Sequence, residues 1–348
     1  MLQGRAPLVA VVGSATATVS LQQSAHNSSQ VACSSSNVAV LVRMQNPQES
    51  ALERLRDWAE DLQYSKAADL WVSVDTTWRH IHAKERIERA VASWPEGLAT
   101  SVQFHFYDRA DLLQTYPVLV ELLQSIAFPV IPGGGEYLGG VFGLRDVGWG
   151  FHVEAINLWY QQLAGRVSAT GTSPSPCRIY SFVWVFEDDV GFSGKLSVLL
   201  QWYADDASDL ITKNYTNPKP RIPTDWRWPS NASYSPDGWC WYYTNSTCFR
   251  ERLERFGAVR KASAEHVQRF SQKFLRELHE WSSADAVAWS EMSTPSVCQA
   301  VPGLRCRTFD STSLGNPFSH NGSVTRQEWT SILQDPERAN RLYHALKF

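Results

Sequence analysis

The chain has 348 residues, a formal net charge of −3, 43% hydrophobic residues and 19% charged residues. Those values exclude wholesale disorder and allow one large α/β domain or two smaller ones. With no basic excess to neutralise a phosphate backbone, a nucleic-acid partner is not expected.

Arg5 precedes an apolar run, Ala6 to Val19, broken by Gly13, Ser14 and Thr16. The run is too short and polar to span a bilayer well and has the make-up of a signal peptide or a weak anchor. Gln22 to Ser36 is rich in Ser, Asn and Gln and reads as a stem. Residues 1–36 are thus separated from a folded region over 37–348, in which no stretch is apolar enough for a spanning helix.

From Asn37 onward, strands alternate with helices. Val38 to Val42 is a short apolar run, the pattern of a buried strand. Pro47 to Asp61 carries Leu52, Leu55 and Trp58 near helical spacing. Asp69 to Val74 is a second strand, leading into Asp75. Ile81 to Trp94 is helical in pattern, Ser101 to Tyr107 is a third strand, and Asp111 to Ile126 is helical again. Three β-α units with short connections predict a mostly parallel sheet flanked by helices.

The glycine-rich segment 132–140 lacks the G-K-[ST] ending of a phosphate loop, and no strand leads into it as a dinucleotide fingerprint requires. A helix is predicted over Gly150 to Leu163. Ile179 to Val190 contains the most apolar strand, Lys195 to Tyr203 is a helix, and Ser208 to Lys213 is a short strand. Residues 214–250 crowd Trp, Pro and sequons together, the texture of a long disulfide-pinned insert. Residues 263–282 read as an amphipathic helix, and the remainder as short helices and turns. The chain divides into a first half over 37–213 and a second half over 214–348.

Six cysteines without a C-x-x-C pair fit disulfides, with Cys240/Cys248 and Cys298/Cys306 spaced to close small loops. Sequons at Asn27, Asn214, Asn231, Asn245 and Asn321 point the same way. Together they predict the secretory pathway, the Golgi lumen or the exterior.

The segment Phe182-Val183-Trp184-Val185-Phe186-Glu187-Asp188-Asp189 is apolar on both strand faces and then abruptly acidic. Adjacent carboxylates repel unless a cation or a shared proton compensates. A divalent ion such as Mn²⁺ or Mg²⁺ does so with oxygen ligands, at the strand end where open α/β sheets bind ligands. The competing reading is an acidic turn that caps the following helix.

V-W-V-F-E-D-D-V-G-F-S-G resembles the D-x-D region of GT-A-fold glycosyltransferases. Its E-D-D form is similar to that of the N-acetylglucosaminyltransferase I family. The longer pattern, G-W-G-F-H-V-E-A-I-N-L-W-Y and then A-D-D-A-S-D-L-I, resembles uncharacterised algal and fungal nucleotide-diphospho-sugar transferases. The resemblance implies a GT-A-like fold over 37–348, nucleotide-binding in its first half and acceptor-binding in its second. It implies a metal-dependent hexosyl- or N-acetylhexosaminyl-type transferase, with a nucleotide-sugar donor and a luminal glycan or glycoprotein acceptor. Asp189 would then ligate the metal, Asp188 the ribose or a metal-bound water, and Glu187 the sugar or a group behind the metal ligands. Arg43 and Asp75, at strand ends, would meet the diphosphate and the base or ribose.

Other candidates complete the reading. Inverting transfer needs a carboxylate base, for which Glu291 is the choice, and Glu154 would touch sugar or acceptor. A late histidine completes the metal shell, His344 in preference to His320. Retaining and inverting outcomes stay open. A carbohydrate-binding protein on a degenerate transferase fold is the alternative, and a metal-dependent phosphoesterase ranks last.

Overall fold

The structure is a computed structural model that describes residues 36–45, 47–77, 82–125, 147–169, 180–214, 245–318, 323–346 and 348. Residues 1–35, read from sequence as a leader and stem, the glycine-rich segment, Cys177, Cys240, most of the Trp/Pro-rich insert and His320 lie outside the described residues. So do the sequons at Asn27, Asn231 and Asn321.

The first half forms β1 (Val38–Met44), α1 (Glu49–Ser65), β2 (Asp69–Asp75), α2 (Ala83–Ala92), α3 (Glu96–Ala99) and β3 (Val102–Tyr107). Next come α4 (Arg109–Thr115), α5 (Val118–Ser125), α6 (Val147–Gly150), α7 (His152–Ala169), β4 (Phe182–Glu187), β5 (Gly191–Phe192), α8 (Leu196–Trp202) and β6 (Leu210–Thr212). The second half adds α9 (Thr247–Arg255), β7 (Val267–Ser271), α10 (Gln272–Ser283), α11 (Ser290–Ala300) and β8 (Cys306–Thr308). It ends with β9 (Leu314–Phe318), α12 (Arg326–Gln334) and β10 (Leu342–His344).

The main sheet has seven strands in the order β3-β2-β1-β4-β7-β6-β8, and β7 is the strand that runs against its neighbours. The predicted mostly parallel α/β sheet is therefore present. Alternation along β1 explains its two-sided burial. Val40 and Val42 enter the core with Leu55, Trp58 and Leu199, whereas Ala39 and Leu41 enter the opposite core with Ile156, Trp159 and Phe274. Helices α1 and α8 thus cover one face, and α7 and α10 the other.

Local chemistry sets the helix ends. Asp108 and Asp111 form a reciprocal capping box at α4, as do Thr325 and Glu328 at α12. Pro117, which has no N–H to donate, separates α4 from α5 where one helix over 111–126 is expected. Glycines 148 and 150 let α6 approach its neighbours. A Cβ on Gly148 would lie 2.6 Å from the Tyr107 hydroxyl, and one on Gly150 would lie 2.3 Å from the Trp289 ring.

Two sequence expectations need correction. The helix expected over 263–282 begins at Gln272, and the preceding Val267–Ser271 is a strand against β4. Val267, Phe270, Phe274 and Leu278 satisfy helical spacing, but the open edge of β4 takes a strand partner instead. Ser271 then caps α10, accepting from the Phe274 amide at 3.0 Å. The C-terminal region is also more than helices and turns, because β5, β10 and β9 form a second, three-stranded sheet.

Cys298 and Cys306 are disulfide-bonded, as their spacing predicts. Cys248 is exposed and has no disulfide partner among the described residues. Asn245 is only 4% exposed and bridges to Ala288, so its side chain is poorly placed to carry a glycan. Among the described residues, no helix is long and apolar enough to cross a membrane.

Candidate functional site

The carboxyl ends of the parallel strands bring the charged residues together. Arg43 of β1 lies in register with Glu187 of β4. On the other side of β4, Phe186 pairs with Val267, so the next step along the ladder sets Glu187 against His266, whose carbonyl accepts from the Glu187 amide at 3.0 Å. Cross-strand neighbours on one face are within side-chain reach. Arg43 Nη2 is 2.8 Å from Glu187 Oε1, and His266 Nδ1 is 2.6 Å from Glu187 Oε2.

The second sheet supplies the fourth member. β10 pairs with β5, immediately after the acidic turn, and its last residue is His344. His344 Nε2 lies 3.2 Å from Asp189 Oδ1 and 3.5 Å from Glu187 Oε2. The Leu346 amide donates to the Asp189 carbonyl at 2.7 Å, which fixes the chain end to the turn. His266 and His344 stack with ring centroids 3.5 Å apart.

Burial and charge act against each other here. Burial works to raise the Glu187 carboxyl, but His266, Arg43 and His344 outweigh it and hold it well below the usual carboxylate range. Burial, together with Asp189 and Glu187, pushes the Asp188 carboxyl up to about 7. Arg54 of α1 donates to the Asp188 carbonyl at 2.6 Å and holds the turn from behind.

A second buried group adjoins this one. His152 Nδ1, at the start of α7, lies 2.9 Å from Glu265 Oε2, and both side chains are buried. Burial, then Arg43, hold the His152 imidazole well below its ordinary value. Glu291 is buried at the first turn of α11, where its carbonyl accepts from the Ser263 amide at 2.9 Å. Gln268 donates to Thr294 of α11 at 2.9 Å and to Thr212 of β6 at 3.2 Å.

The sequence-predicted residues separate into those the structure gathers and those it does not. Arg43, Glu187, Asp188, Asp189 and His344 meet at one point. Glu291 follows Ser290, whose hydroxyl accepts from the Val153 amide, next to His152, at 3.3 Å. Asp75 is buried at the end of β2 and accepts from the Thr77 amide at 2.9 Å, where it shapes the turn after the strand. Glu154 is not brought to the site. Its Oε1 accepts from Ser282 of α10 at 2.9 Å, within the helical layer. Burial raises its carboxyl to about 8. The opposite courses of His152 and Glu154 follow from their spacing of two on a helix.

Glu265 and His266 are functional candidates that sequence reading missed. The signal available was the A-E-H-V-Q segment, in which acid and imidazole directly precede an apolar strand pattern. Its importance depends on pairing with β4, 79 residues away in sequence.

Glu187, His266 and His344 each offer a ligand atom, and these atoms lie within 4.8 Å of one another. A divalent cation fits this set. Carboxylate and imidazole donors converge, the mixed chemistry matches a borderline transition ion, and Asp189 stands beside His344. Asp189 and His344, expected from sequence to share a metal shell, lie 3.2 Å apart, and Glu187 and His266 stand beside them as further candidate donors.

No protein-family model matches the chain, and no curated protein matches it. Among the solved structures similar to it at low level are two glycosyltransferases. One is a galactosyltransferase, LgtC, in complex with donor and acceptor sugar analogs, at 9% identity and a TM-score of 0.32, covering 89% of this chain and 87% of that chain. The other is core-mannan synthase A (CmsA/Ktr4) from Aspergillus fumigatus in its Mn/GDP form, at 12% identity and a TM-score of 0.32, covering 78% of this chain and 72% of that chain. Likeness at this level carries no weight about the chemistry, which rests on the geometry above.

Proposed function

We propose that the chain is a metal-dependent glycosyltransferase of the GT-A type that uses a nucleotide-sugar donor. The observation that carries the reading is the meeting of Glu187, Asp189, His266 and His344 beyond the carboxyl end of β4, in a sheet whose first strands are parallel. Ligands of open α/β sheets bind at such strand ends. Glu187, His266 and His344 would hold the cation, with Asp189 as a fourth ligand, and Mn²⁺ suits mixed imidazole and carboxylate donors better than Mg²⁺. When bound, the cation would offset the charge developing on a nucleoside diphosphate leaving group.

The chain's own residues have distinct tasks. Arg43 holds the Glu187 carboxylate ionised and oriented. Arg54 and the Leu346 amide fix the turn that presents Asp188 and Asp189. Asp188 is assigned to the ribose and Asp75 to the turn beneath the nucleotide. Glu291 is assigned the role of base toward an acceptor hydroxyl, with His152 and Glu265 beside it. A hexosyl or N-acetylhexosaminyl donor, a glycan or glycoprotein acceptor, and the Golgi lumen or the exterior complete the proposal. The Cys298–Cys306 disulfide supports that compartment.

A panel of nucleotide-sugars with and without Mn²⁺, followed by thermal shift and donor hydrolysis, tests the reading. Stabilisation by one nucleotide base that requires Mn²⁺ and is lost in Asp189→Ala is expected. A flat response across the panel, with glycan binding retained, would instead favour a carbohydrate-binding protein on the same fold.

A further inference from the structure

His266, a proposed metal ligand, lies just before β7, outside the register that aligns β7 with β4. The segment that leads into it is held by polar contacts to several other elements. The Ser263 hydroxyl donates to the Lys213 carbonyl at 2.9 Å, and the Thr212 hydroxyl of β6 donates to the Ala264 carbonyl at 3.2 Å. Glu265 comes next, with its Oε2 at 2.9 Å from Nδ1 of His152, the first residue of α7. The His266 carbonyl then accepts from the Glu187 amide at 3.0 Å.

The His152–Glu265 pair is closed to solvent and firmly mounted. His152 is 0% exposed and Glu265 is 3% exposed. Phe151 and Val153, on either side of His152, are buried in two different apolar clusters, and the Val153 amide donates to the Ser290 hydroxyl of α11. An ionised carboxylate only accepts, so Nδ1 of His152 carries the proton and directs it at Glu265. A buried pair of this kind adds little net stability over apolar side chains of the same size. What it supplies is direction. Glu265 is pinned to the start of a packed helix, and the peptide unit that joins it to His266 is pinned with it.

An imidazole binds a cation along one line in its ring plane, so groups that fix its orientation bear directly on affinity. We propose that His152 and Glu265 are positioning residues, which hold His266 in its metal-binding orientation through the chain without touching the cation. Among the described residues, neither belongs to the group whose ligand atoms converge, Glu187, His266 and His344. The proposal rests on the metal reading of that group. It also makes geometry, not charge, the property that Glu265 contributes. The amide oxygen of a glutamine accepts from Nδ1–H as the carboxylate does, and the amide nitrogen of an asparagine donates from near the position of Nδ1.

The test is Mn²⁺ titration of the full chain followed by electron paramagnetic resonance, with thermal melts in EDTA to establish that each variant is folded without metal. Glu265→Ala and His152→Leu are each expected to bind Mn²⁺ at least about 10-fold more weakly than wild type, the lower end for loss of a group that orients a ligand. Glu265→Gln and His152→Asn are expected to bind as tightly as wild type. Combining Glu265→Ala with His152→Leu should cost no more than the worse single change, because the two act as a unit. Wild-type affinity in Glu265→Ala, whether or not its Tm in EDTA falls, overturns the proposal and leaves the metal centre standing. Equal loss in Glu265→Gln and Glu265→Ala also overturns it, because the cation would then be sensing the charge. Absence of Mn²⁺ binding by the wild type defeats the metal reading and the positioning role with it. Should His152→Leu fail to fold, the two Glu265 variants carry the test.

Discussion

His266 and His344 stack face to face, with Glu187 and Asp189 around their nitrogens. Glu187, His266 and His344 present ligand atoms within 4.8 Å of one another, a spacing that a shared cation would bridge. His266→Ala and His344→Ala are each expected to weaken Mn²⁺ binding at least about 10-fold, the lower end of effects seen when metal-site partners are lost. Mn²⁺ titration followed by electron paramagnetic resonance measures this, and unchanged affinity in both variants would remove the metal centre. Glu154 makes a different prediction. Its folded carboxyl is raised to about 8, above the 4.5 of an ordinary glutamate, so the folded state binds the extra proton between these values. The stability it contributes is fully present below about pH 4.5 and is lost as pH rises through about 8. Calorimetry from pH 5 to 9 should show the wild-type Tm falling with pH more steeply than that of Glu154→Gln.

At the scale of elements, close approach and cross-links hold the site's supports in place. α6 leads into α7, which carries His152, and Gly150 permits the approach to Trp289. Trp289 is buried and its ring cannot move aside. Gly150→Ala should therefore destabilise by about 1–3 kcal/mol, the usual range for overpacking, as read by urea denaturation. The Cys298–Cys306 bond ties α11, which carries Glu291, to the edge strand β8. Its sequence separation of 8 corresponds to about 2.5 kcal/mol in the loop-closure account. Cys298→Ser should lower Tm under oxidising conditions, and reductant should bring the wild type to the same value. A wild-type Tm indifferent to reductant would contradict that role.

At the scale of the whole molecule, the residues proposed to hold the metal come from three distant parts of the chain: the end of β4, the residue before β7 and the end of β10. Residues Ser34–Phe348 form one compact unit, in which strands of the second half extend the sheet of the first. A cation at their junction binds only the folded arrangement. Mn²⁺ at 100 times its Kd should therefore stabilise the chain by about 2.7 kcal/mol. A chain ending at Arg341 should lose that increment while the main sheet remains, as metal-dependent thermal shift and circular dichroism together would show.

Much of this was legible in order along the chain. Local alternation identified β1 to β4 as buried strands, because residues entering both cores leave an uninterrupted apolar run. The abrupt change from Phe186 to Glu187-Asp188-Asp189 marked the strand end as chemical, since adjacent acids need compensation. Arg43 and Asp75 were recognisable because they terminate such runs. Local pattern could not identify His266, since Val267 to Leu278 fits a helix as well as a strand followed by one. Only pairing with the open edge of β4 resolves that ambiguity. Nor could it send Glu154 to Ser282 and away from the site, because which face of α7 meets which neighbour is decided by packing.

The sequence by itself thus determined the parallel half-sheet and the acidic turn at its edge, both products of local periodicity, and offered the 298–306 cross-link as one pairing whose spacing could close a small loop. Tertiary structure decided which imidazoles meet Glu187 and Asp189 and which acid is buried elsewhere. Those outcomes depend on long-range strand pairing and helix packing, which bring together residues that carry no mark of each other in sequence.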